Sequence, residues 1–269
     1  MNTVAIVGVG LIGASFGLAL RKAGFRGSIL GASSQRSIDR ALARGAIDRG
    51  VPLEEAAASA DLLFLAQPIF GIIETIGKLN CLVRPEALVT DAGSTKQVIV
   101  AEAANCLTRC AFLGGHPMAG KEQRGASAAD ADLFQDRPWI LTGDPDHPVA
   151  REFRKWIALF GAREIVLDAA AHDRLVAWAS HLPQLTSTAL ASVLEERAPD
   201  SAGIAGPGLF DMTRLAMSSY DLWSDILRTN APAVTVALDA YIAKLQALKD
   251  NFEAEFAKGA HFANSLRIR

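Results

Sequence analysis

The first 168 residues alternate short apolar runs with stretches whose apolar residues recur at helical spacing. Strands are predicted at Thr3–Val7, Ser28–Ala32, Asp61–Ala66, Ala87–Thr90, Ala111–Leu113, Trp139–Leu141 and Glu164–Leu167, and helices at Leu11–Lys22, Ser37–Arg44 and Ile69–Leu79. The run Asp61–Ala66 (DLLFLA) is apolar after its first residue, as expected of a strand that is buried on both faces. Alternation of strands and helices predicts an α/β domain with a doubly wound, mostly parallel sheet.

After Leu167 the pattern changes to helices alone. They are predicted at Ala169–Arg197, Leu209–Ser218, Tyr220–Arg228 and Pro232–Lys258. We therefore predict two domains, an α/β domain at 1–168 and an all-α domain at 169–269. The helical part is rich in Ala and Leu and has no sheet to cover its apolar stripes. Pairing of two copies through this part would bury them, so we expect a homodimer.

A glycine-rich turn joins the first strand to the first helix. Residues 8–13 read GVGLIG and fit the pattern G-x-G-x-x-G in the strand–turn–helix context that this pattern requires. The first glycine permits a tight turn, the second lets the backbone approach a pyrophosphate, and the third lets helix and strand pack closely. Free N–H groups at the helix start favour the phosphate charge. We predict a Rossmann-type dinucleotide site that includes Gly8, Gly10, Leu11, Ile12 and Gly13.

The end of the second strand bears on the choice of cofactor. NAD enzymes usually carry Asp or Glu there, bound to the ribose hydroxyls. Here the segment reads GASSQR, with no carboxylate before Asp39. Ser33, Ser34 and Arg36 offer hydroxyls and a cation, which suit a 2′-phosphate. We predict NADP in preference to NAD; the alternative is a solvated polar turn with loose ribose contacts.

Composition narrows the class of protein further. The formal net charge is −2 and no long basic run occurs, so nothing indicates nucleic acid or an acidic membrane surface as a partner. The three cysteines form no metal-binding pattern, so we predict no metal site and a reducing, cytoplasmic compartment. The apolar run 4–20 suggests a signal peptide as a rival interpretation, but four glycines and the lack of a preceding positive charge disfavour it. We expect no membrane association.

Two segments with reactive side chains follow predicted strands. They are residues 89–96 (VTDAGSTK) and 112–120 (FLGGHPMAG). Because the carboxyl ends of parallel strands meet at one edge, we expect Ser94 and His116 near the nicotinamide end of a bound dinucleotide. An imidazole there can accept the proton of an alcohol while hydride leaves its carbon. The alternative is that His116 is a turn residue whose ring caps a nearby carbonyl.

The helical part adds four polar candidates. On a regular helix His181 and Gln184 share a face. His172 lies nine residues before His181, so it is expected on the opposite side of the helix or at the helix start. Arg214 stands in an apolar stretch and needs an anionic partner, from either the protein or a substrate.

Together these motifs resemble a known family. VGVGLIGASFGLAL, DAGSTK, GGHPMAG, HDRLVAWASHLP, FDMTR and LWSDI occur in this order over most of the chain. The chain resembles the prephenate or arogenate (cyclohexadienyl) dehydrogenases of tyrosine biosynthesis. The resemblance implies a Rossmann domain followed by a helical dimerisation domain. It also implies oxidative decarboxylation of prephenate to 4-hydroxyphenylpyruvate, or of arogenate to tyrosine, with hydride transfer to NAD(P)+.

The resemblance also implies roles for individual residues. His116 would accept the proton of the substrate 4-hydroxyl, and Ser94 would orient that hydroxyl. The implied substrate-binding residues are Arg214 (on the ring carboxylate), Glu122 (at the mouth of the site), His172, His181 and Gln184 (facing the substrate side chain). Many members carry histidine at the position of Gln184. A neutral amide does not decide between the keto acid and the amino acid, so this choice stays open.

Two alternative functions fit the same arrangement of a Rossmann domain followed by a helical domain. β-Hydroxyacid dehydrogenases and ketopantoate-type NADP-dependent reductases also join a Rossmann domain to a helical one. The hydroxyacid enzymes use a lysine on the long helix, and residues 173–195 contain none. A dinucleotide-binding sensor without catalysis would lack an acid–base group at the sheet edge, where His116 is expected.

Overall fold

The computed structural model describes residues 1–121 and 123–267 of the chain. Eight strands form one sheet. They are β1 (Thr3–Val7), β2 (Ser28–Ala32), β3 (Arg49–Gly50), β4 (Leu62–Leu65), β5 (Leu88–Asp91), β6 (Ala111–Pro117), β7 (Pro138–Thr142) and β8 (Arg163–Val166). Their order is β3-β2-β1-β4-β5-β6-β7-β8, and all neighbours are parallel except β6 and β7. The predicted mostly parallel, doubly wound sheet is confirmed.

Helices flank the sheet and then continue alone. Those of the α/β part are α1 (Leu11–Lys22), α2 (Gln35–Ala43), α3 (Leu53–Ser59), α4 (Ile69–Leu79), α5 (Gln97–Cys106) and α6 (Pro148–Leu159). The helical part contains α7 (Ala169–Val176), a π-helical turn (Ala177–His181), α8 (Leu182–Arg197), α9 (Pro207–Thr213), α10 (Tyr220–Thr229), α11 (Ala231–Leu248) and α12 (Phe252–Arg267). The predicted all-α second part is confirmed. In the described part of the chain, no helix combines the length and the apolar character that crossing a bilayer requires.

The sheet is packed on both faces, which explains why its central strands are apolar throughout. On one face Phe16 of α1 stacks on Phe64 of β4, with ring centroids 4.1 Å apart, and Trp139 of β7 packs beside them. On the other face Leu63 of β4 packs in a cluster with Ile76 of α4. Each such side chain contributes about 1.5–3 kcal/mol on burial. This core fixes the strand ends at which the candidate site lies.

Several element boundaries differ from the predicted ones. Strand β6 continues four residues beyond the predicted end at Leu113, through two glycines and His116 to Pro117. The predicted helix Pro232–Lys258 is interrupted and forms parts of two helices, α11 and α12. Asn251 caps the start of α12, since its side chain accepts a hydrogen bond from the Ala254 N–H (3.1 Å). Helices α3, α5 and α6 and the short strand β3 were not predicted.

Candidate active site

The glycine turn after β1 has the geometry of a phosphate cradle. Gly8 has φ +90°, and a Cβ there would stand 2.7 Å from the Ala66 carbonyl oxygen. At Gly13 a Cβ would stand 2.2 Å from the Gly8 oxygen, so only glycine lets α1 pack this closely on β1. Gly10 differs, because a Cβ there would meet no atom within 4 Å. The space above Gly10, at the amino end of α1, is therefore open to an anionic group, and the residues fit a dinucleotide pyrophosphate.

The turn after β2 presents polar side chains to solvent. Ser33, Ser34 and Arg36 are all exposed. The next carboxylate along the chain, Asp39, lies within α2 and accepts a hydrogen bond from the Gln35 side chain at 2.7 Å. The feature that the sequence indicated is thus present: hydroxyls and a guanidinium at the strand end, and a carboxylate that is engaged one turn into the helix.

His116 lies on strand β6 itself, opposite Ile140 of β7. Two glycines precede it because atoms of the neighbouring strands leave no room for a Cβ. A Cβ at Gly114 would be 2.2 Å from Thr142 Oγ1, and one at Gly115 would be 2.5 Å from the Asp91 carbonyl oxygen. Glycines weaken a strand pattern, which explains why the sequence predicted a loop here. The His116 side chain is 8% exposed.

A buried ion pair supports the strand that carries His116. Lys96 and Asp91 form this pair, and both side chains are inaccessible to solvent. Lys96 Nζ also donates to the Gly115 carbonyl oxygen (2.8 Å), and Asp91 accepts from the Gly115 N–H (3.0 Å). The pair thereby fixes both backbone groups of the residue that precedes His116.

A chain of hydrogen bonds connects His116 to the helical part. His116 Nδ1 lies 2.8 Å from His172 Nε2, and His172 Nδ1 lies 2.7 Å from Asp173 Oδ1. The carboxylate of Asp173 also accepts from the backbone N–H groups of Lys96 (2.7 Å) and Gln97 (3.0 Å) at the start of α5. His172 and Asp173 are fully buried. Asp173 therefore joins the two parts of the chain at the base of the site.

A π-helical turn changes where His181 points. On a regular α-helix, the separation of nine positions between His172 and His181 would place them on opposite sides. The π-helical turn Ala177–His181 contains an extra residue and rotates the next helix, α8, by about 100°. His181 is buried and lies 3.3 Å from Asn230 Nδ2, which donates to the Asp173 carbonyl oxygen at 2.7 Å. The expectation that the two histidines lie on opposite sides was wrong; His172 lies near the start of α7, which was the alternative expectation, and His181 joins the same network.

The surroundings of His116 disfavour its protonated form. Burial, followed by the nearby His172, Lys96 and His181, lowers the pKa of His116 well below its usual value. Burial also lowers the pKa of Lys96, while the adjacent Asp91 and, more weakly, Asp173 oppose this. A neutral imidazole can accept a hydrogen bond and then a proton, so the arrangement provides an acceptor at the edge of the sheet.

Burial of neutral His181 makes stability depend on pH. Burial, despite the opposing charge of Asp173, lowers the pKa of His181 to about 4. Below pH ~6.5 the unfolded chain binds a proton here that the native chain does not, so stability falls as pH decreases towards the native pKa. Between about pH 7.5 and pH 5 we expect His181 to account for a loss of about 2 kcal/mol.

Urea denaturation at the two pH values tests this expectation. His181→Gln should lose less stability on acidification than the wild type, by about that amount. His147→Gln is the matched control, because His147 is exposed. Equal acid sensitivity of the wild type and His181→Gln would contradict the prediction.

The other predicted site residues lie at different depths. Ser94 is half-buried in the loop between β5 and α5, two residues before Lys96. Gln184 is 5% exposed and its Nε2 donates to the Leu215 carbonyl oxygen at 2.8 Å. This bond holds the 3₁₀ turn Arg214–Met217 against α8, with Arg214 on its exposed side. Glu122 lies outside the described residues.

Four residues of the network were not predicted as site residues: Asp91, Lys96, Asp173 and Asn230. Asp91 and Lys96 flank Ser94 in the motif DAGSTK, and Asp173 follows His172. For Asp91, Lys96 and Asp173 the sequence did contain a signal, namely a charged residue in apolar surroundings. Such a residue indicates a buried charge, and buried charges need partners. Asn230 carries no such signal, since its role depends on the packing of α11 against α7.

Comparisons with known proteins find one family along most of the chain. The family described as "Prephenate dehydrogenase, nucleotide-binding domain" matches residues 16–165, and "Prephenate dehydrogenase, dimerization domain" matches residues 168–266. The prephenate dehydrogenase of Lactococcus lactis subsp. cremoris is 35% identical over 88% of this chain and 67% of its own length.

Two solved structures are similar over almost their whole length. The prephenate dehydrogenase of Aquifex aeolicus, solved with hydroxyphenyl propionate and NAD+, has a TM-score of 0.86 and 30% identity, covering 100% of this chain and 96% of that one. The arogenate dehydrogenase of Synechocystis has a TM-score of 0.80 and 29% identity, covering 98% of each chain.

Proposed function

We propose, from the premise that this chain belongs to the prephenate dehydrogenase family, that His116 is the base of an oxidative decarboxylation of prephenate or arogenate. The chain is an NAD(P)-dependent oxidoreductase of this family. The observation that carries the assignment of the base is the buried imidazole on β6, whose Nδ1 lies 2.8 Å from His172 Nε2. Among the hydrogen bonds of the described residues none uses its Nε2, and this atom is the acceptor we assign to the substrate hydroxyl.

The chemistry follows from the substrate. When bound, the nicotinamide would supply the hydride acceptor for the ring carbon that carries the 4-hydroxyl. His116 Nε2 accepts the proton of that hydroxyl, the ring carboxylate leaves as carbon dioxide, and the proton returns to oxygen as the ring becomes a phenol. The substrate carboxylates add negative charge beside His116, which favours the imidazolium while it holds the proton.

The remaining residues position the reactants. The glycine turn Gly8–Gly13 and the start of α1 would hold the pyrophosphate. Ser94 would orient the reacting hydroxyl, and Arg214 would bind the ring carboxylate through its planar guanidinium. His172 and His181 would support the site from beneath, and Glu122 would lie at its mouth.

Gln184 favours a substrate that donates a hydrogen bond. Its Nε2 donates to the Leu215 carbonyl oxygen (2.8 Å) and to Thr188 Oγ1 (3.2 Å). A carbonyl oxygen only accepts, so this contact fixes the orientation of the amide. None of the hydrogen bonds within the described residues uses Oε1, which is therefore available as an acceptor. An ammonium group suits this oxygen, whereas a keto oxygen does not, and we propose a preference for arogenate.

A four-way assay tests the function and both preferences. Purified protein is mixed with prephenate or arogenate and with NAD or NADP, and the absorbance of the reduced nicotinamide is followed. We expect turnover, with the largest kcat/KM for arogenate and NADP. Faster turnover with prephenate would contradict only the proposed role of Gln184, and the proposed function would stand. No turnover in any of the four mixtures would overturn the proposed function.

Arg36 tests the preference for NADP separately. If its guanidinium binds the 2′-phosphate, Arg36→Ala should lower kcat/KM for NADP by about 10- to 100-fold, because a charge-assisted hydrogen bond contributes about 1.5–3 kcal/mol. The value for NAD should change little. Arg26→Ala is the matched control, since Arg26 is also exposed but precedes the opposite end of β2. An equal loss with both cofactors would exclude contact with the 2′-phosphate.

A homodimer is proposed through the helical part. The matching family is described as a dimerization domain over residues 168–266. The helices there carry large apolar side chains on their surface, among them Phe210, Met217, Phe252, Phe256 and Phe262. Surfaces of this kind mark association sites. Light scattering at micromolar concentration tests this, and a monomer would contradict it.

A further inference from the structure

Three side chains from two parts of the molecule lie in a line beneath the site. His116 belongs to β6, whereas His172 and Asp173 belong to α7. The His116 Nδ1 to His172 Nε2 distance is 2.8 Å and the His172 Nδ1 to Asp173 Oδ1 distance is 2.7 Å. His172 and Asp173 are inaccessible to solvent. Water cannot reach His172 and Asp173. The hydrogen-bond partners alone therefore determine which ring nitrogens of the two histidines carry a proton.

The lower end of the line can only accept hydrogen bonds. Asp173 Oδ1 accepts from the Lys96 N–H, and Oδ2 accepts from the Gln97 N–H (3.0 Å) and from Gln97 Nε2 (3.3 Å). Although burial opposes it, the bonds from His172 and from these backbone groups lower the pKa of Asp173 below its usual value. Asp173 is therefore a carboxylate, and an ionised carboxylate has no proton to donate.

The state of each histidine follows from the one below it. Asp173 accepts, so His172 Nδ1 carries the proton and donates it. In neutral His172 the other nitrogen, Nε2, then has a lone pair and must accept from His116. His116 Nδ1 consequently carries a proton, and His116 Nε2 has the lone pair.

We propose that His172 and Asp173 are positioning residues that hold His116 in its Nδ1–H tautomer, with Nε2 as the acceptor. This inference rests on the proposed function only where it assigns the substrate hydroxyl to Nε2. The device matters because a free neutral histidine in water favours the Nε2–H form, in which Nε2 is a donor and cannot take a proton. Besides His172, the titratable groups that act on His116 are Lys96 and His181, and neither hydrogen-bonds to His116 Nδ1 in the described structure.

Nuclear magnetic resonance of histidine tests the tautomer directly, without activity. Long-range correlations between ring protons and 15N in selectively labelled protein distinguish the Nδ1–H from the Nε2–H form. The His116 signals are those that disappear in His116→Gln. We expect Nδ1–H at both His116 and His172 in the wild type. An Nε2–H form of His116 in the wild type would overturn the proposal, even if every variant failed to fold.

Two variants of matched chemistry separate positioning from packing. In His172→Asn the amide reaches the position of Nδ1 and ends short of His116. In His172→Gln the amide oxygen reaches the position of Nε2 and can still accept from His116. We expect His172→Asn to shift His116 to the Nε2–H form and to lower kcat by about 100-fold, with KM within about threefold. His172→Gln should keep the Nδ1–H form and stay within about tenfold of the wild-type kcat.

The outcomes distinguish this proposal from the proposed function. An unchanged His116 tautomer in His172→Asn overturns the positioning role, whatever the activity. Equal losses of kcat in His172→Asn and His172→Gln also overturn it, because packing alone would then explain them. If the wild type turns over neither substrate but His116 changes tautomer as described, the proposed function fails and the positioning role stands.

Discussion

His116→Gln is expected to lower kcat by about 1,000-fold, within the range of about 100- to 10,000-fold that a positioned acid–base group contributes. Glutamine has a similar volume and its amide can still contact His172, but it cannot take up the proton of the substrate hydroxyl. KM should change much less than kcat, because the loss affects the transition state. Steady-state kinetics with the better substrate and cofactor of the four-way assay measure both constants.

The control for this variant is a histidine far from the chemistry. His147 is exposed before α6, and His147→Gln should retain wild-type kinetics. Thermal unfolding of His116→Gln should show a folded protein, so that the loss is not one of structure. A kcat within about tenfold of the wild type would rule out His116 as the general base.

Lys96→Met is expected to destabilise the protein by about 3–5 kcal/mol, because it leaves the carboxylate of Asp91 buried without its partner. Methionine matches the length of the lysine stem, so packing is largely retained. Asp91 would keep hydrogen bonds from the Gly93 N–H (2.8 Å) and the Gly115 N–H (3.0 Å), but these do not neutralise its charge. Urea denaturation at neutral pH measures the change in the free energy of unfolding.

Two further variants show whether the buried charge is the cause. Lys78→Met removes the same charge from an exposed pair, Lys78 and Glu74 (2.6 Å), and should change the free energy of unfolding far less, because solvent screens both charges. Asp91→Asn combined with Lys96→Met removes both charges of the pair and should be less damaging than Lys96→Met alone. A loss below about 1 kcal/mol for Lys96→Met would contradict the buried-pair argument.

The sequence predicts those parts of the fold that rest on local patterns. The bounds of β1, α1, β2 and α4 agree with the structure to the residue, because each apolar run or helical stripe ends at a clear change of pattern. Helix α5 was missed because its apolar residues do not form a well-separated stripe. Strand β6 was predicted too short because its glycines weaken the pattern, although the tight contacts of Gly114 and Gly115 require them.

The candidate site is predictable only where a motif is continuous in the chain. His116 and the glycine turn each stand within one motif, so a single sequence identifies them. The hydrogen-bond partner of His116, His172, lies 56 positions away in the sequence. No local pattern predicts a contact between β6 and α7. Asp173 illustrates this. Its carboxylate oxygens accept hydrogen bonds from both α5 and His172 only after the helical part has packed on the sheet.

The π-helical turn Ala177–His181 has a consequence for how this helix tolerates change in length. A turn of this kind is equivalent to one residue inserted into an α-helix, and here the extra residue brings His181 round to Asn230. Deleting one residue within the turn would restore a regular helix and rotate α8, with Gln184, by about 100° relative to α7. This short stretch is thus a length-critical segment: substitutions that preserve its residue count leave the register intact, whereas a single-residue deletion misaligns every side chain that α8 contributes.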